Sequence, residues 1–306
     1  MFNSEPKIID SINVFNFTDL TAVKVKSFYK DDPFPNYELT DDKASIVFKG
    51  DNNLYTRNLK KFIGHGKKIL EIGAGTCQLS NYLAIGKYNS ITAFDLNYDS
   101  LKIGSKFAKK NEIKNITFVC GDIFDNIFKE NIFDFILCNG VLHHTKDTNL
   151  SFEKSLKWLK KDGFVLVGLY NKIGRLRTKF RKYAFKLFGK KYLMFFDPVL
   201  RKINKDSKKK IDAWIKDQYQ HPVERSHSFD EVLNLFQKNK INFINSYPSC
   251  EPFQINDNDN DKDEELKRLF IKGSSSNYYE RIFSQILMIF GRPGSEGGLF
   301  LFLGKK

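Results

Sequence analysis

The run Ile69-Leu70-Glu71-Ile72-Gly73-Ala74-Gly75-Thr76 limits the fold of this chain more than any other segment. It is a short, almost wholly apolar stretch that enters two closely spaced glycines and then a helical pattern beginning near Gln78. A strand buried on both faces reads this way, and small residues at the turn let the backbone come close to a ligand. Further strand-like runs follow at Ile91–Asp95, Ile116–Cys120, Phe133–Cys138 and Phe164–Tyr170. Helical patterns near Tyr98–Lys110 and Asn149–Leu159 separate them, and another, Leu54–Ile63, precedes the first strand. Such alternation predicts parallel strands joined by helical crossovers, an α/β doubly wound, mostly parallel sheet.

The rhythm breaks after Tyr170 and resumes with a helix at Phe229–Lys238, opened by Ser228, and a strand at Ile241–Tyr247. A second interruption holds the acidic run from Asp257 to Glu265 and an amphipathic helix around Tyr278–Phe290, before a closing strand at Leu299–Leu303. The expected organisation is an N-terminal arm or cap over 1–53 and one domain over 54–306. That domain carries a basic helical insertion at 171–227 and a second insertion at 250–297. The arm has irregular periodicity and a turn-rich centre, Pro33-Phe34-Pro35-Asn36-Tyr37, where two prolines preclude a continuous helix.

A glycine pair alone is a weak signal, and the acids that follow strengthen it. Asp95 ends the second strand about 20 residues beyond Gly75, where a carboxylate can accept both hydroxyls of a ribose. Asp122, in Gly121-Asp122-Ile123-Phe124, follows the third strand. There a carboxylate can accept an adenine amino group while Ile123 covers the base. Each acid taken singly also fits a helix N-cap; three acids at three successive strand ends make one site.

The pattern resembles the class I S-adenosylmethionine-dependent methyltransferases, in the branch similar to the ubiquinone/menaquinone-type enzymes, over Lys67 to about Tyr170. The resemblance implies a seven-stranded Rossmann-like methyltransferase sheet with helical cap insertions, and S-adenosyl-L-methionine as cofactor. It puts Glu71, Gly73, Ala74, Gly75 and Thr76 around the methionine part, Asp95 and Leu96 at the ribose, and Asp122 and Ile123 at the adenine. Asn139 and Gly140 would lie near the sulfonium, and Val141-Leu142-His143-His144 looks like the family's segment after the fourth strand. A dinucleotide fold would expect G-x-G-x-x-G, and Gln78 stands where its third glycine belongs. The N-P-P-Y or D-P-P-Y of adenine-N6 enzymes is absent after Cys138.

Methyl transfer from a sulfonium is an in-line displacement of an activated group, so alignment and exclusion of water supply most of the catalysis. A general base is optional. His144, then His143, are the candidates for one, packing on the cofactor being their other reading. No histidine and cysteine set has metal-ligand spacing, so no metal is expected.

Ligands of a doubly wound sheet sit at the carboxyl ends of its strands, so both insertions should overhang the acceptor pocket. Tyr29, Phe34 and Tyr37 of the arm are candidate lid residues, or simply pack the arm down. Tyr219 and His221 could reach the acceptor or anchor their loop. The net charge of +14 is concentrated between Lys172 and Lys210, which hold 15 lysines and arginines against two aspartates. Within it Leu176, Phe180, Tyr183, Ala184, Leu187 and Phe188 mark one helix face, with Arg175, Lys179, Lys182 and Lys186 on the other. The insertion then packs as a lid on the core, lies on an anionic membrane surface, or binds RNA.

The expected activity is methylation of oxygen or carbon on a small or lipophilic acceptor. RNA methylation and a non-catalytic S-adenosylmethionine-binding scaffold are the alternatives. No apolar run is long enough to span a bilayer and the N-terminus lacks signal-peptide order, so the expected location is cytoplasmic, with the inner face of a membrane within reach of the basic insertion.

Overall fold

Successive residues of the central strands point to opposite faces and both sets are apolar, so helices must cover both sides. The structure, a computed structural model, describes residues 1–16, 37–38, 40–202, 208–221, 223–253, 262–290 and 298–306. Strands β1 (Lys7–Ile9) and β2 (Ile12–Val14) come first, followed by helices α1 (Lys43–Asn52) and α2 (Leu54–Ile63). Then β3 (Lys68–Ile72), α3 (Gln78–Ala84), β4 (Ser90–Asp95), α4 (Tyr98–Lys110), β5 (Ile116–Cys120), β6 (Phe133–Asn139), α5 (Thr148–Trp158) and β7 (Leu159–Tyr170) build the parallel sheet. The first insertion contributes α6 (Leu176–Phe188), α7 (Lys190–Phe196), α8 (Pro198–Lys202) and α9 (Lys208–Gln220). After it come α10 (Phe229–Lys238), β8 (Asn242–Tyr247), α11 (Lys262–Arg268), α12 (Tyr278–Leu287) and β9 (Leu299–Lys305).

The strand order is β1-β2-β5-β4-β3-β6-β7-β9-β8. From β3 the chain winds outward through β4 to β5, then returns to place β6 on the other side of β3. This reversal opens a crevice at the carboxyl ends of β3 and β6, where an open α/β sheet binds its ligand. On one face Leu70, Ile72, Ile136 and Val165 pack with Phe152 of α5 and Phe229 and Phe236 of α10. On the other, Ile69, Ala93, Phe135 and Leu137 pack with Leu59 of α2, Leu83 of α3 and Leu101 of α4. Helix starts are fixed by side chains accepting backbone N–H groups: Asn97 for α4, Asp147 for α5, and a reciprocal Ser228–Glu231 box for α10.

The expected seven strands are there, extended by two more. The hairpin β1–β2 lies in the segment read as an irregular arm, and β2 pairs in parallel with β5 in the register Ile12 to Phe118. Strands of three residues are too short to show a period, which is why the sequence conceals them. Ile12 is fully buried, and the hairpin covers the edge that β5 would otherwise offer to another chain.

The basic insertion also departs from its helical-wheel reading. It has a core of its own, Leu193, Leu200, Ile211, Ile215 and Tyr219, with Phe185 and Trp214 against it. Only Thr178 and Ala184 of α6 are buried, so the stripe that the lid reading would pack on the core faces solvent. Arg175, assigned to the charged outer face, is completely buried. Its guanidinium lies 3.6 Å over the Tyr170 ring, donates twice to Glu224 at 2.8 and 2.7 Å, and donates to Gln218 at 2.9 Å. Burial disfavours the Glu224 charge, yet the guanidinium prevails and holds that carboxyl below the usual range. Among the described residues no helix is long and apolar enough to cross a membrane.

If the hairpin is part of the folded unit, Ile12→Ala leaves a cavity and lowers stability by about 2–4 kcal/mol. Chemical unfolding measures this, and an unchanged midpoint would separate residues 7–14 from the domain.

Candidate cofactor and acceptor site

The turn after β3 is strapped to the end of β4. The N–H groups of Gly73 and Ala74 donate to the Phe94 carbonyl at 2.8 and 3.1 Å, and Gly75 N–H donates to Asp95 Oδ2 at 2.8 Å. Gly73 has φ 73°, and a Cβ on it would collide with the Val141 side chain, so this is a position only glycine fits. Thr76 is fully buried and Ala74 nearly so, which closes the floor of the crevice.

Three carboxylates rim that floor. Glu71 is buried on β3 and accepts a short hydrogen bond from Ser80 Oγ of α3. Burial pushes its carboxyl up to about 7, and the nearby Asp95 charge adds to the rise. Asp95, half-buried at the tip of β4, accepts from Gly75 N–H on one oxygen and from Asn97 N–H, at 2.7 Å, on the other. Loss of solvent raises its pKa too, against the pull of those backbone donors. The Leu96 backbone also donates to the carboxyl, and the lone pairs left over can take an incoming hydroxyl. Asp122 is buried two residues past β5, where its Oδ1 accepts the Phe124 N–H at 3.0 Å, and Ile123 beside it is buried as well. Leu96, half-buried, follows Asp95 between these two acids, and its carbonyl lies 3.5 Å from Cys120 Sγ.

On the other side of the crevice Asn139 ends β6. Its Nδ2 donates to the Tyr55 hydroxyl at 3.3 Å, and its Oδ1 is buried with no partner. Gly140 follows at φ 77°, and the place where its Cβ would stand has nothing within 4 Å. An orphaned acceptor, an open glycine and three carboxylates, two of them pushed toward neutrality by lost solvent, fit a ligand with hydroxyls, an amino-purine and positive charge. S-adenosylmethionine has all three, so the residues present fit it.

The Leu142–His144 turn carries the two histidines into the interior. His143 is completely buried with both ring nitrogens unpartnered, its ring 4.1 Å from that of Tyr170, and burial drives its pKa well below the usual value. His144 Nδ1 lies 2.7 Å from the Val223 carbonyl, so that nitrogen carries the proton and Nε2 keeps a lone pair. Burial lowers its pKa to about 4, only partly offset by the Val223 contact. His221 joins this pair, its ring 3.6 Å from that of His144.

The other acceptor-side candidates are placed differently. The Tyr219 hydroxyl donates to Asp197 at 2.6 Å inside the core of the basic insertion. Tyr37 stacks on Phe107 of α4 at 4.3 Å and accepts from Asn81 of α3 at 2.9 Å, and burial raises its phenol above the usual range, with a smaller push from Glu71. Tyr29 and Phe34 lie outside the described residues. Three contributors escaped the motif reading: Ser80, Tyr55 and Tyr170. Ser80 lies nine residues past Glu71, on the first helix after the turn, and that spacing was the one available hint.

A family model described as a methyltransferase domain matches residues 63–280. A demethylmenaquinone methyltransferase of Staphylococcus haemolyticus is 25% identical over 182 residues, covering 58% of this chain and 70% of the relative. A ubiquinone biosynthesis O-methyltransferase of Pelagibacter ubique is 26% identical over 133 residues, 43% of this chain and 51% of the relative. Among solved structures, PKMT2 from Rickettsia typhi superposes with a TM-score of 0.55 at 17% identity, over 88% of this chain and 53% of that one. This chain thus spans about half the length of the last two, and the structural likeness speaks for the fold. With the glycine turn, the carboxylates at successive strand ends and the match across most of the sheet, the chain belongs to the methyltransferase-domain family, as a class I S-adenosylmethionine-dependent member.

Proposed function

We propose that the protein methylates an oxygen or carbon nucleophile on a small or lipophilic acceptor held between the histidine turn and the basic insertion. The observation that carries this reading is His144: buried, neutral, locked in one tautomer by Val223, and five residues beyond the end of β6. The aromatic rings of Tyr170, His143 and His221 around His144 suit a flat acceptor that can stack on them. Similarity to methyltransferases named for demethylmenaquinone and ubiquinone biosynthesis supports the same class of acceptor.

When bound, S-adenosylmethionine supplies a methyl group on a sulfonium, which the acceptor displaces in line as the sulfur leaves neutral. Asp95 would take the ribose hydroxyls, Asp122 and Ile123 would take the adenine, and the turn from Gly73 to Thr76 would hold the methionine portion. Asn139 and Gly140 would stand on the sulfonium side. Burial of His143 and His144 keeps water from the reacting atoms. His144 Nε2 accepts the proton that the acceptor's O–H or C–H loses as the new bond forms.

Replacing Asp95 by alanine removes charge-assisted hydrogen bonds of about 1.5–3 kcal/mol each, so S-adenosylmethionine affinity should fall at least about tenfold in calorimetry. An unchanged titration would falsify the ribose assignment. His144→Gln should lower methyl transfer by about 100-fold or more with cofactor affinity kept, read as tritiated methyl incorporated into lipid, small-molecule, RNA and protein fractions of a cell extract. Label that appears chiefly in RNA defeats the proposed acceptor class, and no label in any fraction defeats catalysis itself. Because His144 stays neutral down to about pH 4, activity should show no histidine limb between about pH 6 and 8.

Glu71 gives a separate test on the cofactor-free protein. Its folded pKa is raised to about 7, so its contribution is present at low pH and is lost as pH rises through about 7. Glu71→Gln should therefore match the wild type below about pH 5 and exceed it above about pH 8, by roughly 3 kcal/mol at most. Parallel melting curves across that range would show that Glu71 is solvated.

A further inference from the structure

Helix α6 has two apolar faces, and its own insertion uses one. Phe185 turns toward the small core of Leu193, Ile211 and Tyr219, and Ala184 beside it is buried. Leu176, Phe180, Tyr183 and Leu187, at offsets of four, seven and eleven, form a second stripe that is 50, 69, 69 and 78% exposed. Across Gly189 the stripe continues: Phe188 meets Tyr192 at 5.8 Å, Tyr192 stacks on Phe196 at 4.5 Å, and Phe195 stands 70% exposed beside Phe196. The Arg177 guanidinium donates to the Ile289 carbonyl, which brings Phe290, 76% exposed, to the start of α6. So many exposed apolar side chains on two successive helices mark an interaction site.

The charges around it narrow the partner. Exposed Lys179 and Lys186 flank the α6 stripe, and exposed Lys190 and Lys191 open α7, Lys190 paired with Asp212, in a stretch carrying 15 basic residues against two acids. Two copies of such a face repel one another, which disfavours self-association. Single-stranded nucleic acid matches the cations and aromatic rings but has nothing to cover Leu176 and Leu187. A bilayer with anionic headgroups satisfies both sets at once, taking aliphatic and aromatic side chains into the acyl boundary while lysines meet phosphates.

We propose that α6 and α7 dock the protein on an anionic lipid bilayer, with Phe180, Leu187 and Phe195 entering the membrane and the neighbouring lysines engaging its headgroups. The inference rests on this surface alone and holds whatever the acceptor is. The full-length protein should float with vesicles containing about one quarter phosphatidylglycerol in phosphatidylcholine, at least about tenfold more than with phosphatidylcholine alone. The triple change Phe180→Ser, Leu187→Ser, Phe195→Ser should cut that flotation at least about tenfold, with S-adenosylmethionine binding retained as the sign of an intact fold. Should the triple variant misfold, Lys179→Glu with Lys186→Glu serves instead and should weaken binding to the anionic vesicles severalfold. The proposal fails if the wild type stays in solution with anionic vesicles, if a folded triple variant floats equally well, or if the protein is retained on poly(U) but not on vesicles. It fails equally if the apolar changes convert a dimer into a monomer and leave flotation unaltered.

Discussion

A carboxylate taken out of water must gain a proton, a set of donors or an opposite charge, and this sheet places two such groups side by side. Glu71 of β3 pairs with Ala93 of β4, and Asp95 lies two residues further along β4 on the same face, at the end where the strand order reverses. The folded chain meets the need with Ser80, Gly75 N–H and Asn97 N–H, and leaves both groups with raised pKa values. A ligand that brings hydroxyls and positive charge relieves the remainder. Strand order and turn geometry thus decide where the two acids are buried, and that burial sets the ligand preference.

That part of the molecule was legible because it is local. The glycines, Glu71 and Asp95 lie within one strand–turn–helix–strand unit, and each needs its residue type for a reason that spacing along the chain reveals. Arg175 was not legible, since what buries it is Glu224, 49 positions away, together with Tyr170 and Gln218. A lone arginine in a basic run reads as one more solvated cation until its partner is known. The α6 stripe lies between these cases: periodicity shows an apolar face, and only the packing of Leu193, Ile211 and Tyr219 shows that this face is left outside.

Many contacts hold the insertion to the domain, among them Asn171 Nδ2 donating to Gln285 and Arg225 N–H donating to the His143 carbonyl, and a buried ion pair inside the insertion ties its two ends together. Arg175 joins the end of β7 to the segment around Gln218 and Glu224, and the same segment supplies the Val223 carbonyl that sets the His144 tautomer. One buried ion pair therefore stands behind both the seating of the helical insertion and the orientation of the imidazole below it. Truncating either partner would leave the other charge stranded in the interior.

The position of β9 bears on how the molecule comes into being. This strand pairs antiparallel to β7 on one side and β8 on the other, yet it is made after both. A nascent chain that has already emerged through β8 must keep a gap in its sheet, with Val167 and Leu169 lacking their later neighbours Phe302 and Phe300. Until that gap is filled the half-built sheet exposes apolar surface and two open strand edges, and the later arrival of β9 closes both at once.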